Sequence, residues 1–229
     1  MKYFILIPFL IIFNFIYALS NDGEKLANEI LNEYKKIKSF EADIAVKIDI
    51  NYLNAPEKKG KIYYQSPNNT KVDIEGFSML PKQGTGNFIA EILSMKSTFI
   101  YVGETKLNNE NLVHLKVIPN NSKEIVLVDM YIDNSKKIVK KADITTKENG
   151  TFYISLDYKN FSGFFLPSLV NIEFVVPNFK MPKAFVGPRD KNKVDEMQKD
   201  GETTKGKVIL KYWNYLVNNK IDKSIFDKK

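Results

Sequence analysis

The hydrophobic positions of this chain follow three patterns in turn. From Tyr3 to Leu19 no residue carries a charge. Apolar residues then recur every three or four positions from Leu26 to Ile37, which predicts one amphipathic helix. From Ala42 to Tyr52 apolar and polar residues alternate, which predicts a long strand with one apolar and one solvated face.

The first apolar run has the features of a secretory signal peptide. A short basic start precedes it, and Ala18-Leu19-Ser20 places small residues where signal peptidase cuts. We therefore expect cleavage after Ser20 and a periplasmic or secreted protein of residues 21–229. The alternative is an uncleaved membrane anchor, because the run approaches spanning length. In either case the remainder of the chain works outside the cytoplasm.

More strands follow, separated by turn-forming clusters, and their regular succession predicts an antiparallel meander. The Asn149-Gly150 pair predicts a two-residue type I′ hairpin turn, which needs positive φ at both positions. The predicted strands are 60–65, 70–75, 99–102, 112–118, 124–132, 137–145, 151–159, 166–176 and 207–217.

Two apolar stretches interrupt the meander. The first, 77–97, has helical spacing in its second half. The second, 177–206, contains Phe179, Met181 and Phe185 and is too apolar for a solvated linker. We expect it to lie over the open edge or mouth of the sheet. A disordered surface insertion is the alternative.

Composition excludes several classes of function. The chain has no cysteine, and therefore no disulfide, thiolate metal site or cysteine nucleophile. Its single histidine, His114, lies in an apolar strand and has no carboxylates at metal-ligand spacing, so we expect no metal and no cofactor. The sequence also lacks the Gly-x-Ser-x-Gly motif of a serine hydrolase, so we expect no enzyme activity. The net charge of +7 comes mostly from lysine, with one arginine, Arg189. This favours solvated lysines or weak attraction to anionic lipid over nucleic-acid recognition.

The last predicted strand, 207–217, carries apolar residues on both faces, more than one sheet face needs. Alternation predicts one face with Val208, Leu210, Tyr212 and Leu216, and the other with Ile209, Trp213, Tyr215 and Val217. Such a surplus fits either a lipid-binding cavity or an ordinary filled core.

Three segments resemble the LolA-like family of outer-membrane lipoprotein carriers. They are Ile37-Lys38-Ser39-Phe40-Glu41-Ala42 after the helix, the hairpin from Gly60-Lys61-Ile62-Tyr63-Tyr64-Gln65-Ser66-Pro67-Asn68 to Ile74, and the ending from Lys211 to Phe226. The resemblance implies an α+β fold: a curved antiparallel half-barrel with an N-terminal helix and helical or loop lid elements over an apolar cavity. It also implies a carrier without a cofactor, which takes lipoproteins from an inner-membrane donor to an outer-membrane acceptor.

We therefore expect residues 21–229 to form a single lipid-binding domain that acts as a monomer. The alternatives are an envelope-stress sensor or a glycolipid-binding interaction protein of the same fold, or a secreted hydrolase. The residues expected to contact acyl chains are the cavity lining Ile44, Val46, Ile48, Ile50, Ile62 and Tyr64, and the lid residues Phe77, Met79, Leu80, Phe88, Ile92 and Met95.

Overall fold

A computed structural model describes residues 22–50, 53–54, 56–67, 69–74, 88–177 and 203–227. The first helix, α1, covers residues 22–35. A second helix, α2, covers Phe88–Ser94, and a short 3-10 helix covers Lys223–Phe226. The strands are β1 Ser39–Ile50, β2 Leu53–Asn54, β3 Lys58–Gln65, β4 Asn69–Ile74, β5 Ser97–Leu107, β6 Glu110–Pro119, β7 Ile125–Asp133, β8 Ile138–Thr146, β9 Thr151–Phe161, β10 Phe164–Pro177 and β11 Thr203–Val217.

The strands form one antiparallel sheet in the order β4-β3-β1-β11-β10-β9-β8-β7-β6-β5, and the short β2 pairs with β1. From β5 to β11, each strand pairs with the next one along the chain, as in a meander. β1 lies between β3 and β11, so the chain returns at its end to pair with its first strand. The sheet is curved and unclosed, with β4 and β5 at its ends. The predicted α+β half-barrel is confirmed.

Several strands extend beyond their predicted bounds, and β5 and β11 extend the furthest. The strand predicted to end at Val102 is β5, which continues to Leu107. A bulge between Tyr101 and Gly103 allows pairing with β6 to resume beyond it. Gly103 has a φ of 132°, a backbone conformation that would be strained in any residue with a side chain. β11 begins at Thr203, so the end of the predicted 177–206 connection belongs to the sheet.

Two local predictions are wrong. Only Gly150 of the Asn149-Gly150 pair has positive φ, so this hairpin has no type I′ turn. Positive φ at both central residues occurs instead at Asn108-Asn109, between β5 and β6. Strict alternation along β11 also fails, because an irregularity around Asn214 reverses the faces beyond it. Tyr215 is therefore buried with Tyr212, whereas Leu216 is exposed.

The core lies on the concave face of the sheet. One apolar row crosses it through paired residues of successive strands, for example Ile44 with Tyr212 and Ile172 with Ile154. α1 and α2 bury their apolar faces in the same continuous cluster. Leu26, Ala27, Ile30 and Leu31 come from α1, and Phe88, Ile89, Ile92 and Leu93 come from α2. Among the described residues, no helix is long and apolar enough to cross a membrane.

Candidate functional site: the concave face and the helix groove

The six predicted lining residues share one face of the sheet. Ile44, Val46, Ile48 and Ile50 alternate along β1, as the two-residue period requires. Ile62 and Tyr64 of β3 lie opposite Ala42 and Phe40, which belong to the same row. All six are buried in the core cluster. The structure therefore brings them together, and their contact with lipid stays a prediction.

The predicted lid residues divide into two groups. Phe88 and Ile92 lie in α2 and are buried in the core. Met95 follows α2 and keeps 36% of its surface exposed. The other predicted lid residues, Phe77, Met79 and Leu80, lie outside the described part of the chain, as do residues 178–202 of the long connection.

A groove of about 320 Å³ separates α1 from α2. Its third wall is the turn between β3 and β4, which contributes Ser66 and Pro67. Leu31 and Tyr64 line the groove and also belong to the core cluster, so the base of the groove is the edge of the concave core. Lys35 and Glu91 supply its charged groups. The volume is at the lower end of the range for small-molecule sites.

Aromatic rings pack together at the end of the sheet where β1 begins and β11 ends. The ring of Phe40 lies 5.2 Å from that of Tyr64 and 5.4 Å from that of Tyr215. Tyr215 also contacts Phe161 and Tyr212, at 4.7 Å and 6.2 Å. Aromatic pairs at such separations stabilise beyond the area that they bury. This end of the concave face is therefore firmly packed.

Buried phenols in this region have hydrogen-bond partners. The Tyr215 hydroxyl donates to the Pro167 carbonyl at 2.9 Å, and the Tyr158 hydroxyl donates to the Val139 carbonyl at 3.0 Å. The Tyr34 hydroxyl of α1 lies 3.0 Å from that of Tyr158. Burial raises the pKa of Tyr34 to about 12 and raises the pKa of Tyr158 well above its ordinary value. Both phenols therefore stay protonated at neutral pH and can donate.

His114 lies on the convex face, because its neighbours Val113 and Leu115 in β6 point into the core. Its ring stacks on Tyr131 at 4.9 Å, and its Nε2 lies 2.5 Å from Asp129 Oδ1. Lys116 approaches the same oxygen at 2.9 Å. Burial alone would raise the pKa of Asp129, but these hydrogen bonds outweigh it and lower that pKa. Within the described ranges, no group of His, Asp and Glu side chains is arranged to hold a metal ion.

Both long apolar connections start from one rim of the sheet. β4 and β10 run in the same direction as β1, so they end at the rim where β1 ends. The segment 75–87 follows β4, and the segment 178–202 follows β10. The predicted lid segments therefore start from the same rim, opposite the aromatic end, with β3, β1 and β11 between their starting points.

Several residues that shape the site were not predicted from the sequence. Leu31 and Tyr34 were recognised as part of the apolar stripe of α1, but nothing in that stripe showed which residues border a groove. Tyr158 lies 124 positions from its partner Tyr34, a separation that no periodicity reveals. The positive φ of Asn214 turns Tyr215 inward, and its sequence signal is only an Asn in a strand.

Solved structures with the same fold include proteins linked by name to lipoprotein sorting. The sequence itself matches no protein-family model and no curated protein. A DUF1329 family protein from Desulfovibrio piger superposes with a TM-score of 0.59 at 9% identity, covering 91% of this chain and 97% of its own. A domain described as an outer membrane lipoprotein-sorting protein, from Vibrio parahaemolyticus, gives 0.59 at 10% identity with the same coverage. A LolA superfamily protein from Nitrosomonas europaea gives 0.52 at 13% identity, covering 88% and 97%. At these identities the likeness establishes the fold.

Proposed function

We propose that this chain is a periplasmic carrier that binds the acyl chains of lipoproteins in its concave face and moves them toward the outer membrane. It acts as a monomer and catalyses no reaction. Its partners are an inner-membrane donor and an outer-membrane acceptor. In this proposal residues 1–20 are a cleaved signal peptide, and residues 21–229 form one lipid-binding domain.

The observation that carries the proposal is the groove between α1 and α2, because its walls continue into the apolar core. An acyl chain that entered along Leu31 and Tyr64 would meet only apolar side chains beyond them. Each buried methylene contributes about 0.8 kcal/mol, so a long chain binds by burial alone. Met95 at the groove is flexible and polarisable, which suits a site that must adapt to cargo and release it.

The concave face is covered by α1 and α2 in this structure, so it represents the closed form of such a carrier. Binding requires part of this cover to move, and α2 is the part that follows the segment 75–87. The segments that contain Phe77, Met79, Leu80 and Phe179 attach at one rim, and we assign them to the lid. The likeness to a lipoprotein-sorting domain favours lipoproteins over free lipids as cargo.

The proposal is tested first by placing a charge in the groove. Met95→Asp puts a carboxylate where the acyl chain would pass, and burying an unpaired charge is costly. We expect the Kd for a fluorescent fatty acid to rise by at least about tenfold, which corresponds to 1.4 kcal/mol. Because Met95 is partly exposed, the substitution should change the free energy of unfolding of the protein by only about 0.5 kcal/mol.

Leu216→Asp is the matched control, because Leu216 is 52% exposed and lies away from the groove. It should leave binding unchanged, and its cost in stability should stay below about 1 kcal/mol, because the new carboxylate lies opposite Glu41 in β1. Equal loss of binding in the two variants would contradict the proposed site. Native mass spectrometry of the protein purified from its own envelope should show bound acylated protein or lipid. A wild-type protein that carries no lipid there and binds no fatty acid would refute the function.

A further inference from the structure

We infer that Tyr34 is a gate between the helix groove and a second cavity that takes the far end of a long acyl chain; this inference rests on the proposed function. The second cavity, of about 120 Å³, lies on the other side of α1. Its walls come from the end of α1, the β7–β8 turn and the β9–β10 turn. Among the described residues that line the two cavities, Tyr34 is the one that lines both.

The second cavity is lined by apolar residues and by charged residues whose charges are paired. Ile37, Ile138, Phe164 and Phe165 supply apolar surface. The rim lysines Lys36, Lys136 and Lys137 each lie within 3.0 Å of a carboxylate oxygen, on Glu33, Asp133 and Glu29. Because these charges are already paired, the cavity suits an apolar chain better than an anion. Alone it is smaller than the roughly 300 Å³ at which ligand sites begin, so we assign it as an extension of the groove.

A defined tether holds the gate closed. The Tyr158 hydroxyl donates its hydrogen bond to the Val139 carbonyl, so its oxygen accepts a hydrogen bond from the Tyr34 hydroxyl at 3.0 Å. Val139 and Tyr158 belong to adjacent strands of the rigid sheet. The tether therefore fixes the Tyr34 ring between the two cavities.

The backbone after α1 is fixed, so the gate opens by movement of the side chain. Asn218 donates from Nδ2 to the Lys36 carbonyl at 3.0 Å. Its Oδ1 accepts from the Lys38 amide at 2.6 Å. With these bonds two to four residues beyond Tyr34, the end of α1 cannot swing away. Rotation of the Tyr34 ring joins the two cavities without moving the helix.

The test compares a short fatty acid, laurate, with a long one, stearate. Tyr34→Phe and Tyr158→Phe each remove the tether and keep the ring. Loss of one such hydrogen bond should raise the stearate association rate about two- to tenfold and leave that of laurate unchanged. In the stearate association rate the double variant should equal the single ones, because all three lose the bond between Tyr34 and Tyr158. Tyr158→Phe also loses the bond to the Val139 carbonyl, which should lower its melting temperature further. Tyr34→Ala should in addition shift the affinity ratio toward stearate.

Tyr215→Phe is the matched control. Its hydroxyl is also buried and donates to a backbone carbonyl, and that hydrogen bond goes to Pro167 instead of Tyr34 or Tyr158. If Tyr34 and Tyr158 had a purely structural role, their variants would lower the melting temperature and change the binding of laurate and stearate equally. The gate is refuted, and the proposed function stands, if laurate binds but the Tyr34 and Tyr158 variants do not accelerate stearate association selectively. The same conclusion follows if Tyr215→Phe accelerates stearate association to the same extent. If the wild type binds neither fatty acid, both are overturned.

Discussion

Gly60 lets the edge strand β4 approach β3, and replacing it with alanine should separate the two strands. Gly60 lies opposite Ile44 in β1 and opposite Ile74 in β4. A Cβ at this position would lie 2.1 Å from the Asp73 carbonyl oxygen and 2.6 Å from Ile74 Cγ1. The first distance is about 1.3 Å short of the 3.4 Å at which ordinary contact begins. The obstacle is backbone, so a rotamer change cannot remove it.

The cost follows from the displacement. Moving β4 by more than 1 Å stretches hydrogen bonds of about 2.9 Å beyond their useful range. Losing two or three of them, each worth about 0.5–1.5 kcal/mol, together with local strain gives about 2–4 kcal/mol. For a protein of this size that lowers the melting temperature by about 5–15 °C. Fatty-acid binding should weaken as well, because β3 carries Ile62 and Tyr64.

Thermal melting followed by circular dichroism measures the effect, and a second variant tests its cause. Ile74→Ala added to Gly60→Ala removes the contact with Cγ1 but leaves the Asp73 carbonyl in place. We therefore expect no recovery of the melting temperature. A Gly60→Ala protein that melts within about 2 °C of the wild type would refute the reasoning, as would full rescue by Ile74→Ala.

Two further predictions concern packing and pH. Gly206→Ala should destabilise by about 1–3 kcal/mol, because its Cβ would lie 2.3 Å from Phe174 Cζ. Here the obstacle is a side chain, so Phe174→Leu should restore part of the melting temperature, and no recovery would contradict this cause. Asp129 has a lowered pKa in the folded state, so its stabilisation is complete above the ordinary value of 3.8 and is lost as pH falls through the folded value. Asp129→Asn should therefore make the free energy of unfolding depend less steeply on pH in the acid range. An unchanged slope would contradict this role of Asp129.

Much of the candidate site could be predicted from local pattern. The alternation along β1 placed Ile44, Val46, Ile48 and Ile50 on one face, because successive side chains of a strand point to opposite sides. Helical spacing likewise identified α2 and its buried residues Phe88 and Ile92. These predictions succeeded because each depends on a few neighbouring residues.

The groove and its tethers could not be predicted in this way. Tyr34 and Tyr158 meet through the curvature of the sheet and the path of α1 across it, which no local pattern encodes. The failure of alternation at Leu216 has a similar origin, since the irregularity at Asn214 shifts the register against β1.

The sequence by itself determined the order of helices and strands, the alternating faces of β1 and the absence of cysteine chemistry. These properties follow from composition and from the periods of the regular elements, which act over a few residues. Only the tertiary structure decided which strands pair around β1, where α1 and α2 leave a groove, and which face Tyr215 occupies. Those outcomes depend on contacts between residues far apart in the chain, where packing and register outweigh local preference.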